Sequence, residues 1–206
     1  MRLRSGIAVL LFAVLAAAAF AQTAPPARTD APRERKPQPR AAGARVLVEP
    51  SRLEVDDGDT GTITWANGDT EVVRILGIDT PETRHPHQNL PYAQSFGPEA
   101  RAFAQGAFGL ADKIELLRSS TLDPYGRTLG YFFLNGKNYS VLVVKARLAE
   151  ESVTRYGDNG LANEAAEVLA AAKAAGPPPF ESPGEYRKRM RDVSRWLREH
   201  GEYPEQ

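Results

Sequence analysis

Cysteine is absent from the 206-residue sequence, so no disulfide bond can stabilise the folded chain. Stability must come from packing and from any bound metal ion. A net positive charge is also missing, because 26 basic residues are balanced by 26 acidic ones. Residues 45–206 taken alone carry more acidic than basic side chains. This balance argues against tight binding along a long nucleic acid, but it is compatible with the turnover of one locally bound phosphodiester.

Long apolar runs are missing except at the N-terminus. Arg2 and Arg4 precede an apolar run over residues 7–20, and Ala19-Phe20-Ala21 ends it with the small residues that a signal peptidase reads. A membrane anchor, the alternative interpretation, needs about 20 apolar residues. The sequence therefore predicts a signal peptide over residues 1–21 that is cleaved near Ala21, and an exported protein that is secreted or periplasmic.

The rest of the chain divides by composition. Residues 22–44 are rich in Pro, Ala and Arg and poor in large apolar side chains, so they are predicted to form a disordered linker. The basic excess of this linker is either solvated or in contact with nucleic acid or an anionic membrane. Residues 45–176 have the size of one domain, and residues 177–206 are predicted to form a helical extension.

The hydrophobic pattern of the predicted domain begins as β structure. Short apolar alternation and β-branched residues indicate strands, and Asn67-Gly68 marks a tight hairpin turn. Apolar residues at three- and four-residue spacing indicate helices. In chain order the prediction gives strands over 45–55, 60–65 and 70–78, a helix from residue 97, strands over 113–117 and 128–134, and helices over 141–148 and 163–175. This α+β order is typical of a five-stranded Greek-key barrel with an inserted helix and C-terminal helices.

Three short motifs carry the chemistry of the chain. They are Asp57-Gly58-Asp59-Thr60, the run from Arg74 to Glu82, and Asp123-Pro124-Tyr125-Gly126-Arg127. Carboxylate and backbone oxygens are the ligands that hard divalent cations prefer, and a planar guanidinium matches two phosphate oxygens. The motifs together therefore indicate a site that holds one divalent cation against a phosphodiester.

These motifs, in this order, resemble the staphylococcal nuclease (thermonuclease-like) family, whose fold is an OB barrel. The resemblance runs from about Val48 to Gly176. It is dense at Glu49-Pro50, Asp57-Gly58-Asp59-Thr60, Asp79-Thr80-Pro81-Glu82-Thr83, His85-Pro86, Gly97-Pro98-Glu99-Ala100 and Tyr125-Gly126-Arg127. The resemblance implies a five-stranded OB-fold Greek-key barrel and a calcium-dependent nuclease.

The resemblance also implies a role for each acidic residue. Asp59 and Asp79 match the calcium-ligating carboxylates, and Thr80 matches the residue that adds its backbone carbonyl to the same ion. Glu82 matches the glutamate that orients or deprotonates the attacking water.

Two arginines and a tyrosine complete the implied site. Arg74 and Arg127 match the arginines that clamp the phosphate, and Tyr125 matches a tyrosine that lines the nucleotide site. Asp59 and Asp79 also have a plainer interpretation, as turn-forming residues. The arginines have one too, as structural ion-pair partners of those same carboxylates.

The spacing of Arg74 and Asp79 requires a bend in the chain. Residues five apart on a regular strand point to opposite faces, so both can reach one site only if the chain leaves the sheet between them. Gly77 is suitably placed for such a bulge, and Pro81 then ends strand pairing so that Glu82 lies on a loop.

Some positions depart from the family pattern. Pro124 stands where a basic residue is common, and the second tyrosine of the nucleotide site has no clean match: Val153 aligns nearest, and Tyr156 is the nearby candidate. The loop over residues 84–96 is several residues longer than usual. Its two histidines, His85 and His87, suggest a metal pair but are more typical of a solvent-exposed loop.

The C-terminal extension is predicted to form an amphipathic helix. Ser182-Pro183-Gly184-Glu185 is a capping-box pattern with proline at the first helical position. An apolar stripe and a basic face follow, formed respectively by Tyr186, Met190, Val193 and Leu197, and by Arg187, Lys188, Arg189, Arg191, Arg195 and Arg198. The helix either packs on the barrel with a solvated basic face, or extends the nucleic-acid contact.

The sequence thus predicts an exported, calcium-dependent phosphodiesterase, an endonuclease that hydrolyses DNA and RNA with little sequence preference. The family resemblance implies that it leaves 3′-phosphate ends. The expected enzyme is a monomer without an obligate protein partner and without stable membrane insertion after signal cleavage. The alternative is a non-catalytic OB-fold module that binds nucleic acid or protein. The calcium carboxylates argue against that alternative, because binding alone does not require them.

Overall fold

The strands of residues 35–204 form one curved sheet and a small two-stranded ribbon. The structure is a computed structural model that describes residues 35–204. The strands in this range are β1 (Arg45–Val48), β2 (Leu53–Val55), β3 (Thr60–Thr64), β4 (Thr70–Ile75), β5 (Ile78–Asp79), β6 (Ile114–Leu122), β7 (Thr128–Leu134), β8 (Lys137–Asn138) and β9 (Glu150–Glu151). The large sheet has the order β1-β6-β7-β4-β3-β2, with β8 added to β7, and β5 pairs with β9.

The sheet order has the connectivity of a barrel. The first predicted strand, residues 45–55, is broken by a 3-10 turn at Pro50–Arg52 into β1 and β2. β1 pairs with β6 and β2 pairs with β3, so one continuous segment lies at both ends of the sheet order. The antiparallel hairpin of β3 and β4 joins the hairpin of β6 and β7 through a parallel pairing of β4 with β7. This connectivity confirms the predicted OB-fold Greek-key architecture.

Helices follow and interrupt the barrel in the predicted places, and one short helix, Val153–Tyr156, was not predicted. They are α1 (Gly97–Gly109), α2 (Tyr139–Lys145), α3 (Val153–Tyr156), α4 (Ala162–Ala175) and α5 (Pro183–Glu199). Helices α1, α2 and α4 pack their apolar residues on β7 and its neighbours, in one core that includes Phe108, Phe132, Tyr139 and Val168. Pro98 in the first turn of α1 and Pro183 in the first turn of α5 suit positions where a backbone N–H has no helical partner.

The chain leaves the sheet at Gly77, as its spacing requires. The φ angle of Gly77 is +79°, a left-handed conformation that glycine adopts without a steric cost. A Cβ there would also lie 3.0 Å from the hydroxyl oxygen of Tyr131. After this turn the chain enters β5, which pairs with β9 rather than continuing β4. The change of direction brings Asp79 back towards Arg74, which a regular strand would not allow.

Residues 35–44, the last ten of the predicted linker, lie along β6. The backbone N–H of Gln38 donates to Ser120 over 2.9 Å, and that of Leu122 donates to Lys36 over 2.8 Å. Arg40 approaches the buried carboxylate of Glu71 at 3.5 Å. Backbone pairing with the part of β6 that extends beyond β1 gives these ten residues hydrogen-bond partners despite their lack of large apolar side chains. The other residues of the predicted linker and the predicted signal peptide lie outside the described range.

The C-terminal extension belongs to the same compact unit as the barrel. Tyr186, Met190 and Leu197 on its stripe are buried, as the amphipathic pattern predicts. Their packing partner is chiefly the loop over residues 84–96 and not the barrel core, because Tyr186 and Met190 form a separate cluster with Leu90. Among residues 35–204, no helix combines the length and the apolar character needed to span a membrane.

Candidate active site

Asp59, Arg74 and Asp79 meet at one end of the barrel. The Arg74 guanidinium approaches Asp59 Oδ1 at 2.5 Å and Asp79 Oδ1 at 3.1 Å. It also donates to the backbone carbonyls of Asp59 and Ile78, each over 3.1 Å. Both carboxylates are almost fully buried, with 7% and 4% of the residue surface exposed. The arginine therefore fixes the end of β4 to the start of β3 and to β5, and it neutralises charge that burial would otherwise make costly.

The turn before β3 adds further contacts to Asp59. Its Oδ2 accepts a hydrogen bond from the Thr80 backbone N–H over 3.0 Å, and its own N–H donates to Asp57 Oδ1 over 3.0 Å. Burial, followed by the charge of Asp59, raises the pKa of Asp57 to about 7. Tyr139 of α2 holds the turn from behind, since its hydroxyl donates to the Gly58 carbonyl over 2.8 Å. Thr80 thus lies at the site, where its amide touches Asp59.

Glu82 lies on the loop after Pro81, as predicted, and a buried glutamine fixes its backbone. The Glu82 N–H donates to Gln94 Oε1 over 3.1 Å, and the Gln94 N–H donates to the Glu82 carbonyl over 2.8 Å. A Cβ on Gly97 would stand 2.2 Å from that carbonyl oxygen, so only glycine lets α1 begin so close to the loop. Burial raises the pKa of the Glu82 carboxyl, against the opposing effect of Arg187.

Arg127 and Tyr125 project from the turn between β6 and β7. Asp123, which is buried, accepts hydrogen bonds from the backbone N–H groups of Tyr125 and Arg127 over 2.9 and 2.8 Å. Its other oxygen accepts from Arg127 Nε over 2.6 Å. Tyr125 is 79% exposed, with its ring centroid 5.8 Å from the Arg127 guanidinium carbon. Asp123 therefore orients Arg127. Arg127 pairs with Asp123, whereas Arg74 pairs with Asp59 and Asp79, so the two arginines have different carboxylate partners.

An open cleft of about 760 Å³ connects these residues. Its lining includes all seven predicted site residues, namely Asp59, Arg74, Asp79, Thr80, Glu82, Tyr125 and Arg127. Tyr156 lines the same cleft, whereas Val153 packs in the core. Tyr156 is therefore the residue that the fold offers for the second tyrosine position.

Arg187 of α5 also enters the site, which the sequence interpretation missed. Its guanidinium contacts Asp79 through two parallel hydrogen bonds, Nη1 to Oδ1 over 3.1 Å and Nη2 to Oδ2 over 2.7 Å. Nη1 also donates to Glu82 Oε1. Although burial opposes it, hydrogen bonding to these carboxylates raises the pKa of Arg187, so the guanidinium stays charged. The sequence offered one signal for this role, because Arg187 follows Tyr186 of the apolar stripe and precedes Arg191 by four residues. Arg191 lines the cleft as well.

His85 contacts the rim of the site. Its Nε2 lies 2.7 Å from Thr83 Oγ1. Ligand atoms of Asp56, Asp57 and His85 also lie within 4.8 Å of one another, a spacing at which side chains can share an ion. The loop histidine is half-buried, and its neighbours are the carboxylates that precede Asp59.

The donor set at Asp59 and Asp79 fits a hard divalent cation. Its atoms are carboxylate and backbone oxygens, without the thiolate or imidazole ligands that favour softer metals. The negative charge available there exceeds what Arg74 alone neutralises, and Arg187 supplies the second positive charge. A divalent ion that binds Asp79 would take the place of the Arg187 contact with that carboxylate.

An OB-type barrel whose cleft is lined by clustered carboxylates and by arginines, Arg74 and Arg127 among them, defines a class of protein that is suited to phosphate esters held at acidic metal ligands. Residues 72–176, about half of the chain, match the family of staphylococcal nuclease homologues, and the chain belongs to this family. The matched span contains Arg74, Asp79, Thr80, Glu82, Tyr125 and Arg127, while Asp59 precedes it. The family resemblance inferred from the motifs is therefore confirmed.

Similar proteins include three whose names describe nucleases. The chain is 32% identical over 120 residues to the SPbeta prophage-derived endonuclease YokF of Bacillus subtilis, covering 55% of this chain and 39% of that protein. It is 29% identical over 126 residues to endonuclease YncB of Bacillus subtilis, covering 58% of each. It is 38% identical over 96 residues to the thermonuclease of Staphylococcus intermedius, covering 46% of this chain and 54% of that protein. The chain thus spans between about two fifths and three fifths of the length of these relatives.

Proposed function

We propose that this protein is a calcium-dependent nuclease that hydrolyses phosphodiester bonds in DNA and RNA with little sequence preference. The observation that carries the proposal is the convergence of Asp59, Arg74 and Asp79 at one end of a cleft that Arg127 also lines. Membership of the staphylococcal nuclease family supports it. Low sequence preference is expected because the site would contact the phosphate group, which is the same at every nucleotide of the substrate.

Each residue of the site has a part in this reaction. Asp59, Asp79 and the backbone carbonyl of Thr80 would hold calcium, which supplies positive charge that polarises a phosphate oxygen and lowers the pKa of a nearby water. Arg74 and Arg127 bind the phosphate oxygens and stabilise the negative charge that grows on them. Tyr125, on the exposed turn, contacts the neighbouring nucleotide.

Glu82 handles the proton of the attacking water. A carboxylate whose pKa is raised by burial is a better proton acceptor near neutral pH than an exposed one. The water oxygen attacks phosphorus, its proton passes to a Glu82 carboxylate oxygen, and the bond from phosphorus to the 5′-oxygen breaks. The leaving 5′-oxygen takes a proton, so the products are a 3′-phosphate and a 5′-hydroxyl.

One observation favours a second function, a non-catalytic OB-fold module that binds nucleic acid or protein. Arg74 and Arg187 together pair with Asp59, Asp79 and Glu82, so each of these carboxylates has an arginine partner without an ion. A pure binding module would keep this arrangement permanently. It would bind nucleic acid equally well with and without calcium and would release no cleavage products.

Plasmid digestion separates the two functions. With calcium, the full chain should convert supercoiled DNA to nicked and short products, and an excess of chelator should abolish this. Magnesium should serve poorly, because its small octahedral shell tolerates irregular oxygen sites less well. End-labelling of the products should detect 3′-phosphates. Equal activity in magnesium would contradict the calcium assignment, and intact plasmid under every metal condition would favour the binding module.

We further propose that the enzyme is exported and acts as a monomer without an obligate protein partner. The N-terminal run and its Ala19-Phe20-Ala21 end support export. A monomer is expected because the seven site residues of the cleft come from one chain. Cell fractionation with N-terminal sequencing of the mature protein, and light scattering of the purified protein, test these two points.

A further inference from the structure

The loop over residues 84–96 and helix α5, together called the helical module below, are two additions that fit each other. Contacts between them involve residues 89–92 of the loop. Tyr186 donates its hydroxyl to the Tyr92 carbonyl over 3.0 Å, and Ser194 donates to the Asn89 carbonyl over 2.9 Å. Leu90 packs between Tyr186 and Met190. The extra length of the loop thus provides the surface on which α5 docks.

The helical module is tied to the candidate site by two further contacts. Gln94, which fixes the Glu82 backbone, also donates from Nε2 to the Glu181 carbonyl over 2.7 Å, just before α5 begins. Ser182 Oγ donates to Glu150 over 2.8 Å, in the strand β9 that pairs with β5 and therefore with Asp79. The position of α5 is set against both Glu82 and Asp79, the two residues that Arg187 contacts.

The Arg187 side chain takes up the ligand atoms of Asp79. Both carboxylate oxygens of Asp79 accept from it, and Glu82 accepts from the same Nη1 atom. Asp79 is 4% exposed, so it has little access to solvent for alternative partners. A cation ligated by Asp79 requires at least one of these oxygens with its lone pairs directed at the ion. Arg187 and the ion are therefore alternatives for the same atoms.

We propose that Arg187 is a built-in counter-cation of the site, which occupies Asp79 and Glu82 in the metal-free protein and competes with the divalent ion for Asp79. This inference rests on the proposed metal-dependent function. Its consequence is that the affinity of the site for the divalent ion depends on the helical module as well as on the barrel. Bidentate pairing, reinforced by the Glu82 contact, makes Arg187 a stronger competitor than a flexible surface lysine.

Competition has a direct thermodynamic consequence. The ion can bind Asp79 only after the Arg187 contact opens, so the apparent dissociation constant is raised by the population of the closed contact. Removing the guanidinium should lower the dissociation constant for calcium by about 5- to 150-fold, the usual range for coupled sites. The metal-free variant should at the same time lose stability, because Glu82 then loses the Arg187 ion pair and Asp79 is left with Arg74.

Isothermal titration calorimetry with calcium chloride on the full chain tests the proposal, with wild type, Arg187→Ala and Arg195→Ala compared. Arg195 lies on the same helix, has a 69% exposed side chain and pairs with Asp192, so its removal changes the net charge equally without touching the site. We expect tighter calcium binding for Arg187→Ala and an unchanged dissociation constant for Arg195→Ala. The melting temperature should fall for Arg187→Ala in chelator, and its rise on adding calcium should exceed that of wild type.

Two results would overturn the proposal. If Arg187→Ala binds calcium as weakly as wild type or more weakly, the arginine positions the ligands and does not compete for them. If Arg195→Ala tightens binding equally, the effect is one of net charge. Wild-type calcium binding and plasmid cleavage, measured on the same preparation, show independently whether the proposed function holds. A wild type that binds calcium and cuts DNA, with an unaffected Arg187→Ala variant, rejects only this inference.

Discussion

The cleft has a barrel side and a helical side, which are built in different ways. On the barrel side, Asp59, Arg74 and Asp79 lie within 21 residues of one another and are joined by hydrogen bonds to the ends of β3, β4 and β5. On the helical side, Arg187 arrives from α5, more than 100 residues after Glu82 and Asp79. The barrel side belongs to the large core, whereas the helical module has its own small cluster around Leu90 and Met190.

The two sides of the cleft are expected to have different roles, because their residues are held in position in different ways. Barrel residues are positioned by strands that cannot shift without breaking the sheet, so they are suited to ligate and to stabilise charge. Arg187 is positioned by a helix whose docking buries few large side chains, so its contact with Asp79 can open at a lower free energy than the barrel can. The barrel is expected to set the chemistry, and the helical module to modulate access of the metal ion to it.

The largest expected effect concerns the barrel side. Arg127→Ala should lower kcat by about 10³- to 10⁵-fold, the range for arginines that stabilise the transition state of phosphoryl transfer. The melting temperature should change little, because the Arg127 side chain is one-third exposed and Asp123 keeps its two backbone donors. Steady-state kinetics and a thermal melt check both points.

Arg52→Ala is the matched control for this variant, since Arg52 pairs with Glu49 on an exposed turn of the barrel. Wild-type kcat is expected there. A kcat for Arg127→Ala within tenfold of wild type would contradict the assignment of Arg127 as a phosphate-binding residue.

An intermediate effect is expected from removing residues 177–206. Loss of Tyr186 and Met190 exposes Leu90, so the melting temperature should fall by about 2–4 °C for each kcal/mol of lost packing. At saturating calcium, the KM for long DNA should rise and its salt dependence should become shallower, because Arg191 lines the cleft. Activity on a short dinucleotide ester should be nearly unchanged at the same calcium concentration.

Met190→Ala in the full chain provides the comparison, because it weakens the packing of α5 and keeps every basic residue. It should lower the melting temperature without changing the salt dependence. An equal loss on long and short substrates after truncation, together with the lower melting temperature, would leave α5 with a structural role only.

The smallest effect concerns Asp57, at the edge of the barrel side. Its pKa is raised to about 7 by burial and by Asp59, against an ordinary value of about 3.9. Between these pH values the folded protein binds more protons than the unfolded chain, so this residue lowers stability progressively as the pH rises from about 4 to 7. Asp57→Asn keeps the oxygen that accepts from the Asp59 N–H and removes the charge.

The full pKa difference is equivalent to about 4 kcal/mol, but solvent screens this half-buried carboxylate. In chelator at pH 8, Asp57→Asn should therefore be more stable than wild type by at least about 1 kcal/mol, or about 2–4 °C in melting temperature. The difference should vanish near pH 4, where Asp57 is neutral in the folded protein. Parallel melting curves at several pH values measure it. Identical pH profiles for the two proteins would show that Asp57 titrates at its ordinary pKa.

The sequence by itself determined the barrel and most of the site residues on the barrel side of the cleft. Hairpin signals, strand alternation and the glycine between Arg74 and Asp79 act over a few residues, and the structure bears them out at β3, β4 and Gly77. The motifs also determined the family, since their residues are near neighbours in the chain. Local spacing could specify these features because hydrogen bonding and side-chain direction repeat with the backbone period.

Only the tertiary structure decided which distant groups complete the site. The apolar stripe of α5 predicted that the helix is buried on one side, but not that residues 84–96 would cover it. The rotation and position of α5 on that loop direct Arg187 at Asp79, and Gln94 links both to Glu82. Residues 35–44 follow β6 for the same kind of reason, because the part of β6 beyond β1 offers backbone partners that no local pattern reveals. Such contacts depend on shape and charge between segments far apart in the chain, which periodicity within one segment does not encode.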